Sequence, residues 1–404
     1  MPLNIGRGVS SPVGDDGLLT AVRINRKGAD RIASGHPWVF ASDVLDRGAA
    51  EPGDAVSVIG PRGETLGVAH YSSTSQICLR LLSKQPQPIG TSFFEQRIAK
   101  AETFRRRVVT DSNAYRLVHG EGDLLPGLIV DRYADCFTIQ TLDQGMDRAK
   151  MTIVDILTRL YAPAAIVERN DAAVRKHEDL PLHTGTLMGT DPGLVPIHIN
   201  GLDLEADLLH GQKTGIYLDQ RENYLAATRH AHGRALDCFS STGGFALHLA
   251  RCCEHIEAVD SSESALLTLA ANRDRNNIKN IESREADVFD LLTSYASGRR
   301  HFDTVVLDPP AFTKSRSARE GALRGYKEIN RRALQLLGSG GVLVSCSCSH
   351  HVSEAALLEL IAEAALDTGR TLRVLERRTQ SQDHPILLTV PETLYLKCLI
   401  FEVL

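Results

Sequence analysis

Four short apolar runs in the second half of the chain, each next to a segment of helical character, limit what this sequence can fold into. The runs are "RALDCF", "HIEAVD", "FDTVVLD" and "GVLVSC", within residues 234–346. Continuous apolar strands separated by helices are typical of a parallel sheet that is buried on both faces. The sequence therefore predicts a doubly wound α/β domain, in which ligands bind at the carboxyl ends of the strands.

The chain before this domain shows two further patterns. Short strands separated by glycine and proline predict a small β-barrel, with the only tryptophan, Trp38, in its core. A helical stripe beginning at Phe94, followed by strand-like runs, predicts a small α+β domain. The predicted division is a loose tail over 1–19, the β-barrel over 20–88, the α+β domain over 89–195 and the α/β domain over 196–404.

Composition favours an ordinary folded protein of the cytoplasm. Of the 404 residues, 43% are hydrophobic and 24% charged, and no run reaches the roughly 20 apolar residues that a membrane helix needs. The first residues, "MPLNIGRGVSSPVGDDG", lack an apolar signal core. We therefore expect a cytoplasmic location and no contact with a membrane.

The cysteines and the charge distribution narrow the choice of partners. Eight scattered cysteines, without a CxxC pair, predict reduced thiols and no metal site.

The net charge of −5 does not point to nucleic acid. Residues 1–110, however, hold 14 basic against 10 acidic side chains, so the N-terminal part of the chain is the basic one. No apolar stripe stands out as a partner surface, which leaves the oligomeric state, a homodimer included, open.

The residues that end the strands are the candidates for a ligand site. The first run leads into "LDCFSSTGGFALHLA", where Gly243 and Gly244 would let a ligand approach the backbone, but the dinucleotide spacing G-x-G-x-x-G is absent. Asp260 ends the second run, at the usual position of an acid that holds ribose hydroxyls. Asp287, at the next connection, would suit an adenine contact.

A sharper signal is "VVLDPPAF", which places Asp308 at a strand end before two prolines. Proline fixes φ and stops a helix, so the turn would hold the carboxylate rigidly over the ligand edge of the sheet. Together these motifs resemble the class I S-adenosylmethionine-dependent methyltransferases. Amino-group methyltransferases usually have an aromatic residue directly after the prolines, whereas here Ala311 precedes Phe312, which argues against an amino group as the methylated atom.

The stretch "GVLVSCSCSHH" offers a nucleophile beside that turn. Cys346 and Cys348 follow the Asp308 strand by one helix and would emerge at the same edge. A thiolate that adds to carbon 6 of cytosine makes carbon 5 nucleophilic enough to attack a methyl sulfonium, and Asp308 would stabilise the charge that develops on the ring.

Several segments in order carry a more specific resemblance: "HPWVF" from His36, "DLLPGLIVDRY" from Asp123 and "HGQKTGIYLDQRENY" from His210. Over nearly its whole length the chain resembles the bacterial large-subunit ribosomal RNA cytosine-5 methyltransferases with an N-terminal PUA domain. The resemblance implies a PUA-like barrel, a Rossmann-like catalytic domain, S-adenosylmethionine as cofactor and ribosomal RNA as partner.

The resemblance also implies a nucleophile within Ser-Cys-Ser, and counting from Gly340-Gly341 selects Cys348 over Cys346. The cofactor-binding residues expected from these motifs are Gln220, Arg221, Asp237, Phe239, Ser240, Thr242, Gly243, Gly244, Asp260 and Asp287, and the catalytic ones are Cys348 and Asp308.

Two alternatives remain open at this point. One is methylation of a guanine or an amine of ribosomal RNA without a covalent intermediate, and the other is a non-catalytic RNA-binding assembly factor. The sequence does not specify the cytidine, the choice between naked RNA and a ribosomal particle, or the base that removes the carbon-5 proton.

Overall fold

The structure, a computed structural model, describes residues 19–312 and 319–404. The tail predicted over residues 1–19 therefore lies almost wholly outside the described residues. Among the helices of the described ranges, none is both long and apolar enough to cross a membrane.

The first part of the chain folds into a six-stranded sheet with one short helix. The elements are β1 (Ala21–Ile24), α1 (Arg26–Ala33), β2 (Trp38–Phe40), β3 (Val44–Asp46), β4 (Ala55–Ile59), β5 (Thr65–Tyr71) and β6 (Ile77–Ser83). The strand order is β2-β6-β5-β4-β1-β3. Buried residues alternate with more exposed ones along β1 and β4, as one apolar face requires. The strands predicted from the alternation are confirmed.

Trp38 does not lie in the core of this sheet. The side chain is only half-buried, and its indole Nε1 donates a hydrogen bond of 2.8 Å to Oε1 of Glu121 in the next part of the chain. The core prediction was wrong because an indole N–H needs an acceptor when it is buried, and this one finds its acceptor in the turn between β7 and β8.

The central part of the chain is a five-stranded sheet covered by two helices. The elements are α2 (Thr91–Val108), β7 (Ala114–His119), β8 (Leu128–Tyr133), β9 (Cys136–Thr141), α3 (Gln144–Tyr161), β10 (Ala165–Asn170) and β11 (His183–Gly189). The order is β11-β10-β9-β8-β7, and the parallel pair β9 and β10 is connected by α3. Phe94 and Ile98 of α2 pack with Ile153 and Leu157 of α3 in one core with the sheet.

A hairpin links the central sheet to the last part of the chain. It consists of β12 (Leu194–Ile199) and β13 (Leu202–Asp207), and its two turn residues, Asn200 and Gly201, both have positive φ. Asn-Gly is the preferred pair for such a turn. The domain boundary predicted between residues 195 and 196 falls inside β12, so the domain limits stay predictions.

The last part of the chain is a seven-stranded sheet between two layers of helices. Its elements are α4 (Arg221–Thr228), β14 (Arg234–Cys238), α5 (Gly244–Leu249), β15 (His255–Asp260), α6 (Glu263–Arg275), β16 (Ile281–Glu285), α7 (Val288–Ser297), β17 (Phe302–Leu307), α8 (Arg319–Leu336), β18 (Leu337–Ser347), α9 (Glu354–Asp367), β19 (Leu372–Arg378) and β20 (Lys397–Val403). The order is β16-β15-β14-β17-β18-β20-β19, with β20 antiparallel to both neighbours.

This sheet confirms the doubly wound α/β prediction. The four apolar runs form β14, β15, β17 and β18, which are parallel, and apolar clusters lie on both faces of the sheet. Parallel strands align their carboxyl ends, so the residues that follow these four strands meet at one edge.

Candidate active site

A cavity of about 400 Å³ opens at the carboxyl edge of the parallel strands. Both residues predicted to be catalytic and six of those predicted to bind a cofactor line it. They are Cys348, Asp308, Gln220, Phe239, Ser240, Thr242, Gly244 and Asp260. The strand ends selected from the sequence are thus brought together around one space.

Four of the predicted cofactor residues lie elsewhere. Arg221 is buried and pairs with Asp383 at 3.2 Å, whereas Asp287 is exposed and caps the first turn of α7. Asp237 is buried and accepts hydrogen bonds from Ser240 Oγ and from the backbone N–H of Ala246. Gly243 lies at the start of α5 with a φ of +89°. The first three side chains shape or support their surroundings, and a cofactor contact for these four stays a prediction.

The turn between β14 and α5 is tightly wound. Phe239 and Ser241 have positive φ although neither is a glycine. At Gly244 an added Cβ would lie 2.3 Å from the hydroxyl oxygen of Tyr224. Glycine is therefore required here so that α4 and α5 can approach, a packing reason that is distinct from the ligand approach that the sequence suggested.

Asp260 presents its carboxylate at the cavity in a fixed orientation. One oxygen accepts from the backbone N–H of Ser241 at 2.8 Å and the other from that of Ser262 at 2.9 Å. Two backbone donors hold the carboxylate, and its remaining lone pairs can accept from a pair of ligand hydroxyls. Ser241 Oγ is buried without a hydrogen-bond partner among the described residues. These donors and acceptors suit the polar half of an adenosyl cofactor.

Asp308 lines the same cavity and comes directly after β17. Burial, together with the nearby Asp219 carboxylate, raises the pKa of Asp308 to about 7. Close to neutral pH, the carboxyl group is therefore able both to hold a proton and to release one, as an acid in a catalytic site must.

The structure separates the two candidate cysteines. Cys346 is fully buried and lies opposite Cys398 of β20, and burial raises its pKa well above the ordinary value. Cys348 follows the last residue of β18, is only half-buried and lines the cavity. Burial and the Asp308 carboxylate raise the pKa of Cys348, and Lys213 opposes this shift. Access favours Cys348 as the nucleophile.

The cavity is also lined by residues that the site prediction did not include, and five of them are Lys213, Tyr217, Asp219, Tyr224 and Leu396. Lys213, Tyr217 and Asp219 come from the segment between β13 and α4. Lys213 Nζ lies 2.6 Å from Asp219 Oδ2, which also accepts from the hydroxyl of Tyr395 at 2.8 Å. The charged and aromatic residues of "HGQKTGIYLDQRENY" were a visible signal, but the sequence could not show which of them face the strand ends.

No group of three or more side chains that could hold a metal ion occurs within residues 19–312 and 319–404.

Comparisons with protein families match most of the chain. Residues 22–84 match the model of a PUA-like domain, and residues 116–402 match that of the S-adenosylmethionine-dependent methyltransferases. The second match begins inside β7 and covers the rest of the central sheet as well as the seven-stranded sheet, which we call the catalytic sheet.

Individual relatives agree with these matches. Ribosomal RNA large subunit methyltransferase I of Klebsiella pneumoniae (strain 342) is 40% identical over 371 residues, which cover 90% of this chain and 93% of the relative. A solved structure described as an S-adenosylmethionine-dependent methyltransferase of Streptococcus mutans superposes with a TM-score of 0.81 at 18% identity, covering 95% of this chain and all of that one. SMU.776, described as a methyltransferase in complex with SAH, superposes with a TM-score of 0.82 at the same identity and coverage. The two structures show a shared fold.

Proposed function

The chain belongs to the S-adenosylmethionine-dependent methyltransferases, among the relatives of ribosomal RNA large subunit methyltransferase I, and on this basis we propose that it methylates carbon 5 of a cytidine in large-subunit ribosomal RNA. The single observation that carries the choice of atom is the cavity that Cys348 and Asp308 share with Asp260. A nucleophilic thiol beside a proton-exchanging carboxyl is what addition to a pyrimidine ring needs, and methylation of an amino group needs no nucleophile of this kind.

S-Adenosylmethionine fits the half of the cavity around Asp260. The carboxylate would accept hydrogen bonds from the two ribose hydroxyls, and Phe239 would contribute an apolar wall. When bound, the cofactor supplies an electrophilic methyl group on a sulfonium, which carbon 5 of the base takes up.

Cys348 and Asp308 would prepare the base for this transfer. The thiolate of Cys348 forms a bond to carbon 6, the electron pair of the C5–C6 double bond forms a C4–C5 double bond, and the pair of the former C4–N3 double bond moves onto N3, which takes the proton of Asp308. Carbon 5 then has enamine character. After methylation a base removes the carbon-5 proton, the bond from sulfur to carbon 6 breaks, the double bond forms again, and N3 returns its proton to Asp308.

The pKa of Asp308 suits this exchange. A carboxyl with the ordinary pKa near 3.8 would be almost entirely ionised at neutral pH, whereas burial and Asp219 raise that of Asp308 to about 7. A protonated Asp308 also removes the negative charge that raises the pKa of Cys348. The same proton therefore favours the thiolate before it is delivered to the base.

The relative's printed name supplies the substrate of the proposal, and the PUA-like match over residues 22–84 is consistent with RNA binding. A cytosine must leave its stack to enter a cavity of this kind, so the target base is expected to be flipped out or single-stranded. We place the enzyme in the cytoplasm, where ribosomal RNA is available.

The test is a covalent trap. Ribosomal RNA that contains 5-fluorocytidine is incubated with cofactor and enzyme, and adducts are separated on a denaturing gel. Fluorine cannot leave as a proton does, so wild type should accumulate a protein–RNA adduct. Cys348→Ser should form none and lose methylation of normal RNA by about 1000-fold or more. Cys346→Ser, a matched change of the buried neighbour, should retain the adduct.

Methylation of the RNA without an adduct in any variant would show that the thiolate chemistry is wrong. The methylated atom would then have to be determined by mass spectrometry of the nucleosides. An adduct lost in Cys346→Ser but kept in Cys348→Ser would reverse the cysteine assignment.

A further inference from the structure

Lys213 occupies a strained turn between β13 and α4. The turn spans Gln212 to Gly215, whose backbone N–H donates to the carbonyl of Gln212 at 2.9 Å, and Lys213 has a φ of +53°. A left-handed conformation at a residue other than glycine is unfavourable by about 1 kcal/mol. Backbone strain of this kind persists only where the surroundings enforce it.

Contacts with the central sheet enforce the turn. The hydroxyl of Thr214, which is buried, donates to Asp131 Oδ2 at 2.6 Å and lies 3.0 Å from the hydroxyl of Tyr133. Both partners belong to β8. Because Thr214 is fixed there, the side chain of Lys213 is directed to the other side of the turn, where it lines the cavity.

A second set of contacts fixes the ammonium group itself. Lys213 Nζ lies 2.6 Å from Asp219 Oδ2 and 4.4 Å from the ring centre of Tyr217, and the hydroxyl of Tyr395 donates to the same Asp219 oxygen. Burial by itself would raise the pKa of Asp219, but Lys213 lowers it below its ordinary value. The carboxylate is therefore ionised and holds the ammonium at one place.

A cation at this place addresses a problem of the proposed chemistry. A thiolate on Cys348 must form in a partly buried cavity that also holds the carboxyl group of Asp308. Burial disfavours the thiolate, as does Asp308 whenever it is ionised, and Lys213 is the group whose charge favours it. Other ionisable groups that sense Cys348 are Asp219, Tyr217, Tyr326 and Lys397.

Lys397 is the other cation near Cys348, but it is already engaged. Its Nζ donates to the backbone carbonyls of Ser349 at 2.7 Å and Tyr395 at 2.9 Å, and the side chain is buried outside the cavity lining. Burial lowers the pKa of Lys397 to about 8. Lys397 thus fixes the backbone after Cys348, whereas Lys213 reaches the cavity, with 38% of its side chain exposed.

We propose that Lys213, held by Asp219 and Tyr395, is a positioning residue that stabilises the thiolate of Cys348. This role rests on the proposed function of Cys348 as the nucleophile. The strained segment between β13 and α4 would thus support the reaction of the cysteine at the end of β18.

The test measures the thiol directly, without RNA. The full-length protein is alkylated with iodoacetamide between pH 6 and 10, and the rate at Cys348 is followed by peptide mass spectrometry, which excludes signal from the exposed Cys252. In Lys213→Met the apparent pKa of Cys348 should rise by about one unit, a value limited by solvent screening, so that alkylation below that pKa slows about tenfold. Lys213→Arg, which keeps the charge, should stay close to wild type.

Two controls make the result specific. Lys100→Met removes one exposed positive charge from α2 and should leave the profile unchanged. Should Lys213→Met unfold because Asp219 loses its partner, the double variant Lys213→Met/Asp219→Asn removes both charges and should still show a higher apparent pKa than Asp219→Asn alone.

An unchanged profile in Lys213→Met would overturn the proposal, and so would an equal shift in Lys100→Met. If Lys213→Met leaves alkylation unchanged but weakens RNA binding, Lys213 is a phosphate contact and the proposal fails. The 5-fluorocytidine adduct is scored separately, so an enzyme that forms no adduct but shows the shift would contradict only the carbon-5 mechanism.

Discussion

At the scale of single residues, the site depends on a carboxyl group whose pKa lies close to neutral pH. The raised pKa of Asp308, caused first by burial and then by Asp219, means that the folded protein binds this proton more tightly than the unfolded chain does. Such a group is unfavourable for stability when it is ionised. Catalytic groups commonly reduce stability in this way, because function selects an environment that the charge opposes.

The pH dependence of stability tests this view of Asp308. Below pH 3.8 both states hold the proton; as pH rises from there to about 7 only the unfolded state loses it, so stability falls over this window and is level above it. Asp308→Asn does not undergo this loss, so it should be more stable than wild type by up to about 4 kcal/mol at pH 8, but not at pH 4. Urea unfolding at the two pH values measures the difference.

The matched control is Asp155→Asn, on the exposed face of α3, which should show no such pH-dependent gain. Equal stability differences for Asp308→Asn at pH 4 and pH 8 would mean that the carboxyl group is not perturbed by its surroundings.

Residue-level prediction from the sequence succeeded where regular structure fixed the position. Asp260 ends a strand, and Asp308 and Cys348 each follow one directly. A parallel sheet aligns its strand ends, so it could be inferred without coordinates that these residues lie close together. Lys213 and Asp219 lie in a segment of turns, where no periodicity relates the direction of one side chain to that of another. Their contribution to the cavity depends on Thr214 binding β8, which is a contact between distant parts of the chain.

At the scale of secondary-structure elements, α4 and α5 pack closely under the cavity. The ring of Tyr224 makes an edge-to-face contact with Phe245 at 4.8 Å and lies 4.9 Å from the ring of His248, and the absence of a side chain at Gly244 leaves room for it. Gly244→Ala should destabilise the protein by about 1–3 kcal/mol, because the new methyl group would lie 2.3 Å from the Tyr224 hydroxyl. Chemical denaturation measures the change.

Gly338→Ala is the matched control for this prediction. An added Cβ at Gly338, in β18, has no neighbour within 4 Å among the described residues, so this variant should lie within about 0.5 kcal/mol of wild type. Equal losses in both variants would indicate a general effect of replacing glycine. No loss in Gly244→Ala would show that α4 can move away freely.

Element prediction from the sequence failed where the signal was short or local. Helix α1 has only Gly28 and Ile32 as buried residues, too few for a visible stripe, and it starts because the Asn25 side chain accepts from the backbone N–H of Gly28. The hairpin of β12 and β13 was also missed, although Asn200-Gly201 is a strong turn pair. The long apolar runs of the catalytic sheet were found because burial on both faces leaves a continuous pattern.

At the scale of the whole molecule, buried hydrogen bonds to Asp383 join the central and catalytic sheets, and Asp383 also forms an ion pair within the catalytic part of the chain. Asp383, in the segment between β19 and β20, accepts from the backbone N–H of Arg116 at 2.9 Å and pairs with Arg221 of α4 at 3.2 Å. Its backbone carbonyl accepts from Arg105 of α2 at 2.7 Å. Burial alone would raise the pKa of Asp383, but His384 and Arg221 lower it to about 2. Contacts between residues some 270 positions apart give no sequence pattern, so this connection could not be predicted.

A cavity formed by two parts of the chain needs those parts to keep one relative position. Lys213 and Asp219 come from the segment fixed on the central sheet, whereas Asp308 and Cys348 belong to the catalytic sheet. Asp383→Ala would leave the buried guanidinium of Arg221 without its main partner, which should destabilise the protein by about 3–5 kcal/mol. Asp383→Asn, which can still accept from Arg116, should lose less.

Two measurements test this prediction: the shape of the thermal unfolding transition and the dependence of Cys348 alkylation on Lys213. If the contacts at Asp383 couple the two sheets, calorimetry of Asp383→Ala should show either one transition at a lower temperature or two separate transitions, and alkylation of Cys348 should lose its dependence on Lys213. A lower transition temperature with an unchanged Lys213 effect would mean that Thr214 alone positions the turn. Wild-type behaviour in both measurements would show that the contacts at Asp383 are not essential and that the alignment of the two sheets is fixed elsewhere, since removing one partner of an essential buried pair cannot be neutral.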